Sequence, residues 1–208
     1  MAYRDHLITT MDQLESLYGE KLPTSIIKEI DHISEGYRKL IEAAPFIAVA
    51  TSGPEGLDCS PKGDAAGFVR ILDDRTLAIP DRPGNNRIDG FRNIVRDPRI
   101  ALLFLIPGIG ETLRVNGRAA ISVDPELMQS FAVGGKLPRC VLVVHIESIF
   151  FHCSKAIVRS KCGTRRPKSI ARACLRPARS SPNSARVSWA ARLTTAKRPS
   201  ASRRSSTE

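Results

Sequence analysis

Residues 79–104 read "IPDRPGNNRIDGFRNIVRDPRIALLF". The segment leaves a short apolar run, turns through Pro83 and Gly84, and passes Asn85, Asn86 and Arg87 at the start of a helix. Asp97-Pro98 closes that helix, since the residue before a proline is steered out of the helical region, and a second apolar run follows. This is a strand, turn, helix, strand unit. Free backbone N–H groups at a helix N-terminus, flanked by amide side chains and a guanidinium, make a phosphate cradle. The same residues admit a plainer reading with equal weight: Asn85 or Asn86 caps the helix, and Arg82 and Arg87 stay in solvent.

Outward from this unit the chain continues in short apolar or alternating runs: "FIAVAT" (46–51), "GFVRIL" (67–72), "TLAIP" (76–80), "RIALLFLI" (99–106), "TLRVNGRAAISV" (112–123) and "CVLVVHIESIFF" (140–151). Period-two apolar patterning predicts six strands. The breaks "SGPEG", "LDDR" and "IPGIGE" hold the Gly, Pro and Asp that turns require. A second helix is predicted in "DPELMQSFAV", with Asp124 as N-cap and Pro125 at the first helical position. Strands so closely spaced, with few helices between them, predict a small closed or half-closed barrel. The absence of regular βαβ alternation argues against a dinucleotide-binding domain of the Rossmann type.

Before Phe46 the texture is helical. Ile26, Ile30, Ile33, Tyr37 and Leu40 recur at spacings of four and three, which predicts one helix from an N-cap at Thr24 to the stop at Pro45. "TTMDQLESLY", with Met11, Leu14, Leu17 and Tyr18, predicts a shorter helix of the same kind. The two are expected to cover whatever follows.

Charge divides the chain elsewhere. Of 32 Lys and Arg and 21 Asp and Glu, residues 162–208 hold twelve basic and one acidic, leaving twenty of each sign in residues 1–161. Overall basicity is therefore a property of the tail. That tail is rich in Arg, Ser, Ala and Pro with Trp189 as its single aromatic, too little apolar surface to offset ordering entropy, so disorder is expected. Binding of nucleic acid would have to come from this tail, through phosphate contacts that weaken with salt. Five cysteines, without a C-x-x-C pair, argue against a disulfide framework and a zinc ribbon, and no metal site is expected. No apolar run approaches the ~20 residues of a spanning helix, which leads to the expectation of a cytoplasmic protein.

The order "SPKGDAAGFVRILDDRTLAIPDRPGNNRIDGFRNIVRDPRIALLFLIPGIGETLRVNGRAAI" (60–121), followed by "FFHCSKAIVRS" (150–160), resembles the pyridoxamine 5′-phosphate oxidase-like flavoproteins, in particular a bacterial branch with a helical N-terminal extension. The resemblance spans roughly residues 3–161. It implies a mainly β fold with α, a split β-barrel, usually a homodimer that holds two FMN molecules at the subunit interface. Three regions follow: a helical extension at 1–45, the FMN-binding barrel at 46–161 and the basic tail at 162–208.

Position by position, the resemblance assigns Arg70 to the strand that reaches FMN. Asn85, Asn86 and Arg87 match the Ser-basic-basic segment that binds the 5′-phosphate, so phosphate charge falls more on Arg87 and the helix dipole. Thr112 and Arg114 match the strand edge along the flavin's pyrimidine side. Lys62 in "SPKGD" is a weaker match, and its plain reading is an exposed turn lysine. No catalytic acid or base is assigned. The implied activity is an FMN-dependent oxidoreductase acting on an unknown small molecule. The alternatives are a flavin, deazaflavin or heme carrier without enzymatic activity, and a nucleic-acid binder acting through the tail.

The chain departs from the family in two places. The segment with which the oxidases proper grip the substrate phosphate is missing, which argues against vitamin B6 oxidation. The related branch continues "HCSKAIVRS" with Leu-Trp-Asp-Pro, where this chain has Lys161-Cys162-Gly163-Thr164. If Cys162–Pro167 is encoded TGT GGG ACC CGG CGA CCG, one restored C gives CTG TGG GAC CCG GCG ACC, or Leu-Trp-Asp-Pro-Ala-Thr. The tail is therefore read as a frameshifted C-terminus.

Overall fold

The structure, a computed structural model, describes residues 2–162. Residues 163–208, and with them the frameshift and disorder readings of the tail, lie outside the described residues. Among the described residues the strands are β1 (Phe46–Gly53), β2 (Gly56–Gly63), β3 (Arg70–Ile71), β4 (Thr76–Pro80), β5 (Arg99–Leu105), β6 (Thr112–Ser122) and β7 (Val141–His152). They form one sheet in the order β2-β1-β5-β6-β7-β4-β3, with every pairing antiparallel. The edge strands β2 and β3 do not pair with each other, yet β1 and β4 contribute to one continuous core. A sheet whose distant strands share a core is rolled into a half-open barrel.

β2 is the strand that apolar patterning missed. It pairs with β1 in full register from Phe46↔Gly63 to Gly53↔Gly56, although it contains Pro61 and few apolar residues. Its place at the sheet edge explains both features, because an edge strand tolerates proline and needs only one covered face. The run "GFVRIL" departs the other way. Only Arg70 and Ile71 pair, while Phe68 donates its N–H to the Ala65 carbonyl in a turn and plugs the core together with Val69.

A 3-10 turn (Ala2–His6) and the short helices α1 (Met11–Glu15) and α2 (Pro23–Ile27) precede α3 (Glu35–Ala43). The single helix expected from Thr24 to Pro45 is thus two helices with a break. Ile30 exchanges both backbone hydrogen bonds with Ile149, at 3.1 and 2.8 Å, and Ile33 N–H reaches the Asp74 carbonyl at 2.7 Å. These bonds to the barrel replace helical ones. Ser34 then caps α3 by accepting the Tyr37 N–H at 3.3 Å. Of the expected stripe Ile33 and Tyr37 are buried, Ile30 and Leu40 partly so and Ile26 is exposed, while Ile41 joins the core beside them; burying an Ile is worth ~1.5–3 kcal/mol. Upstream, α1 and α2 bury no residue, and Met11, Leu17, Tyr18, Leu22 and Ile27 are exposed. Of these N-terminal helices only α3 covers the barrel.

Of the helices within the barrel sequence, α4 (Asp89–Arg96) joins β4 to β5 and α5 (Pro125–Ser130) joins β6 to β7. Asp124 caps α5 as expected, accepting the Leu127 N–H at 2.7 Å. A further helix, α6 (Lys155–Ser160), follows β7. No helix among the described residues is long and apolar enough to cross a membrane.

Candidate functional site

The position of α4 is set by its contact with the β1–β2 hairpin. Asn93 is buried in the middle of the helix and donates through Nδ2 to Thr51 Oγ1 and to the Gly56 carbonyl, both at 3.3 Å. Gly53 admits it: a Cβ there would lie 2.3 Å from the Asn93 Oδ1. Locked in this way, α4 turns its N-terminus toward the strands β2 and β4.

Neither Asn85 nor Asn86 caps this helix, so the capping half of the plainer reading of the "NNR" stretch fails, while its other half holds for Arg87, whose side chain is 79% exposed, and not for Arg82. The N-cap residue is Ile88, which supplies no side-chain hydrogen bond. Asn85 instead folds the preceding loop, its Oδ1 accepting the Arg87 N–H at 3.0 Å, and Asn86 takes a left-handed conformation with φ of 61°. The helix N-terminus is left without a side-chain cap, and an anion there is favoured by the macrodipole.

A cavity of about 480 Å³ opens at that point, within the range of small-molecule sites. Its polar lining includes Asn85, Asn86, Arg87, Arg82 and Arg139, and its apolar lining includes Val49, Phe68, Phe91, Ile94 and Leu142. From β2 come Asp58, Ser60 and Lys62, which share the inward face with Thr51, Val49 and Ile47, their partners across the ladder.

Most of the charges here are matched. Lys62 Nζ meets Asp81 Oδ1 at 2.7 Å and stands 4.9 Å from the Phe91 ring centroid, so it is a half-buried strand residue and not a turn lysine. Arg82 reaches Asp64 at 2.8 Å and the Phe131 carbonyl at 2.7 Å. Hydrogen bonding to the Ala65 N–H, and then to Arg82, holds the Asp64 carboxyl below its ordinary range. Arg87 Nε pairs with Asp89 Oδ2 at 2.5 Å, which raises the already high guanidinium pKa. Burial, followed by the charge of Asp81, pushes the Cys140 thiol pKa up.

Of the residues singled out from sequence, Lys62, Asn85, Asn86 and Arg87 meet in this cavity. The other three do not line it. Arg70 braces α5, donating to the Ser130 carbonyl at 2.6 Å with its guanidinium 4.3 Å from the Phe131 ring centroid. Thr112 and Arg114 lie on β6, where they pair with His152 and Phe150 of β7. The Arg114 guanidinium sits 4.2 Å from the Phe150 centroid, and its buried Nε has no hydrogen-bond partner among the described residues. Lys28 stands 4.8 Å from the Phe151 centroid, and the Phe150 and His152 rings are 4.9 Å apart. Burial, then Arg114 and Lys28, push the His152 pKa below its ordinary value.

Asp58, Ser60 and Arg139 are cavity residues that sequence reading missed. For the first two the signal was present: Asp58, Ser60 and Lys62 alternate with Leu57, Cys59 and Pro61, as a strand requires. Arg139 lies in the α5–β7 loop, and its local sequence carries no comparable mark. Among the described residues no group of His, Cys, Asp or Glu is arranged to hold a metal ion.

The family model described as pyridoxamine 5′-phosphate oxidase matches residues 33–153. The chain belongs to that family. The match runs from Ile33, at the start of the α3 stripe, to Cys153, one residue past the end of β7. Similar solved structures include HupZ of Group A Streptococcus, 24% identical over 59% of this chain and 95% of that one with a TM-score of 0.48. General stress protein 26 of Bacillus anthracis is 16% identical over 55% and 88% of the two chains, with a TM-score of 0.41. A NimC/NimA family protein of Clostridium acetobutylicum is 15% identical over 57% and 88%, with a TM-score of 0.40. No curated protein matches the chain.

Proposed function

We propose that this member of the pyridoxamine 5′-phosphate oxidase family is an FMN-dependent oxidoreductase acting on a small molecule. The observation that carries the reading is the cavity lined by Asn85, Asn86 and Arg87, beside an uncapped helix N-terminus, together with apolar side chains. These residues suit a phosphate monoester joined to a flat ring. Backbone N–H groups and amides donate to phosphate oxygens, and Arg87 exchanges Asp89 for the dianion. Val49, Phe68, Phe91, Ile94 and Leu142 supply the apolar contact. Bound flavin supplies the hydride chemistry, while the protein contributes binding, orientation and exclusion of water.

A homodimer belongs to the same proposal. Ala48 and Ala50 of β1, with Ala101, Leu103 and Leu105 of β5, form a half-buried outward band, continued by Thr112 and Arg114 of β6. A second copy seated on this band brings Thr112 and Arg114 to the interface, where the guanidinium supports negative charge on a reduced ring.

The test is to purify the full chain, identify its chromophore by mass spectrometry and titrate protein stripped of ligand with FMN. Bound or recaptured FMN on a dimer by light scattering is the expected result. A colourless protein that takes up no FMN overturns the cofactor assignment, and a monomer with full FMN content overturns the dimer.

A further inference from the structure

Three carboxylates line the cavity, and two are committed: Asp89 to Arg87 and Asp81 to Lys62. The third, Asp58, makes no hydrogen bond or ion pair among the described residues, and Arg87 feels its charge only at longer range. Its position is closely defined. Asp58 stands across the ladder from the buried Thr51, whose Oγ1 already receives the Asn93 amide. On the α4 side its carboxylate lies against Gly90, where a Cβ would come within 2.8 Å of Oδ2. Glycine at that point leaves the space the carboxylate occupies, and any larger residue would push it aside.

A carboxylate only accepts hydrogen bonds, and a partly buried one without donors is costly. A ligand that places another anion against Asp58 would raise that cost; one that brings hydroxyl groups lowers it, as an acidic residue does for the ribose of a dinucleotide. The cations and amides of residues 82–87 stand ready for the phosphate, which leaves Asp58 for the part of the ligand between phosphate and ring. Resting on the flavin reading above, we propose that Asp58 is the specificity-determining acceptor for the hydroxyl groups of the cofactor's polyol chain. The cavity is thereby matched to phosphorylated polyols over phosphate alone.

The test compares the full-length wild type with Asp58→Ala and Asp58→Asn by flavin fluorescence titration, with folding checked by circular dichroism. The ligands are FMN, riboflavin and lumiflavin, the last carrying a methyl group in place of the polyol. Asp58→Ala is expected to weaken FMN and riboflavin by the same factor, roughly tenfold, and to leave lumiflavin within about twofold. Asp58→Asn, which keeps one acceptor oxygen, is expected to lose less, and it carries the test if the Ala variant does not fold. Tighter FMN binding with riboflavin unchanged would make Asp58 an electrostatic brake on phosphate and overturn the proposal. Equal losses for all three ligands, or no loss, would overturn it as well. A wild type that binds none of the three flavins overturns the flavin reading and this inference with it, whereas the preceding outcomes overturn the inference alone.

Discussion

Two groups of cations in this molecule are held in opposite ways. At the cavity, Lys62, Arg82 and Arg87 each face a carboxylate within 2.8 Å. On the β6–β7 face, Arg114 and Lys28 rest on the rings of Phe150 and Phe151, and neither meets a carboxylate among the described residues. Under the proposed FMN reading the first arrangement holds charge ready for exchange, because an incoming dianion would replace one anion with another. The second holds charge by polarisation and packing, where a ring quadrupole offers ~0.5–2 kcal/mol without neutralising anything. On that reading a ligand phosphate would compete at the cavity, while an anion at the β6–β7 face would meet cations with no rival among the described residues.

The largest effect expected comes from removing the aromatic platform. Phe150→Ala should destabilise the fold by ~3–5 kcal/mol, since the ring is buried as well as supporting Arg114 and Lys28. Denaturant unfolding measures it, and a loss below about 1 kcal/mol would mean that the ring contributes little to either role. Next in size, Arg87→Ala should weaken FMN roughly 10- to 100-fold and leave riboflavin nearly unchanged, since only FMN carries the phosphate. Equal losses for both ligands would place Arg87 among the supports of the fold.

Smaller effects sharpen the contrast. Asp89→Asn releases Arg87 from its partner and should tighten FMN by about two- to threefold, an exposed pair being worth little. Weaker FMN binding in this variant would show that Asp89 orients the guanidinium instead of competing for it. The slightest effect is expected from pH. His152 has its pKa held below the ordinary 6.5 in the fold, so the unfolded chain takes up the proton first. Stability from this group is full above pH 6.5 and declines as pH falls through the depressed folded value. A shallow loss of unfolding free energy on acidification, flattened in His152→Asn, is the expected signature, and an unchanged slope would assign the loss to carboxylates such as Asp64.

By itself the sequence determined β1, β4, β5, β6 and β7, the end of α4 at Asp97-Pro98, the Asp124 cap of α5, and four residues that meet in the cavity. These are properties of neighbouring residues. Alternation follows from the two-residue repeat of a strand, and a cap or a proline acts within one turn of its own position. What only the tertiary structure decided depends on distant partners. β2 is a strand because β1 offers it an edge, and the helix expected from Thr24 to Pro45 is broken because Ile149 and Asp74 claim the backbone of Ile30 and Ile33. The "NNR" stretch is a loop beside an uncapped helix because Asn93, eight residues past Asn85, is anchored 42 residues back at Thr51. Which cations are matched was equally out of reach: Lys62 finds its carboxylate 19 residues away and Arg70 its carbonyl 60 residues away. Local backbone geometry writes a periodic signal into the chain, whereas a charge or an edge strand acquires its meaning only from the surface brought against it by folding.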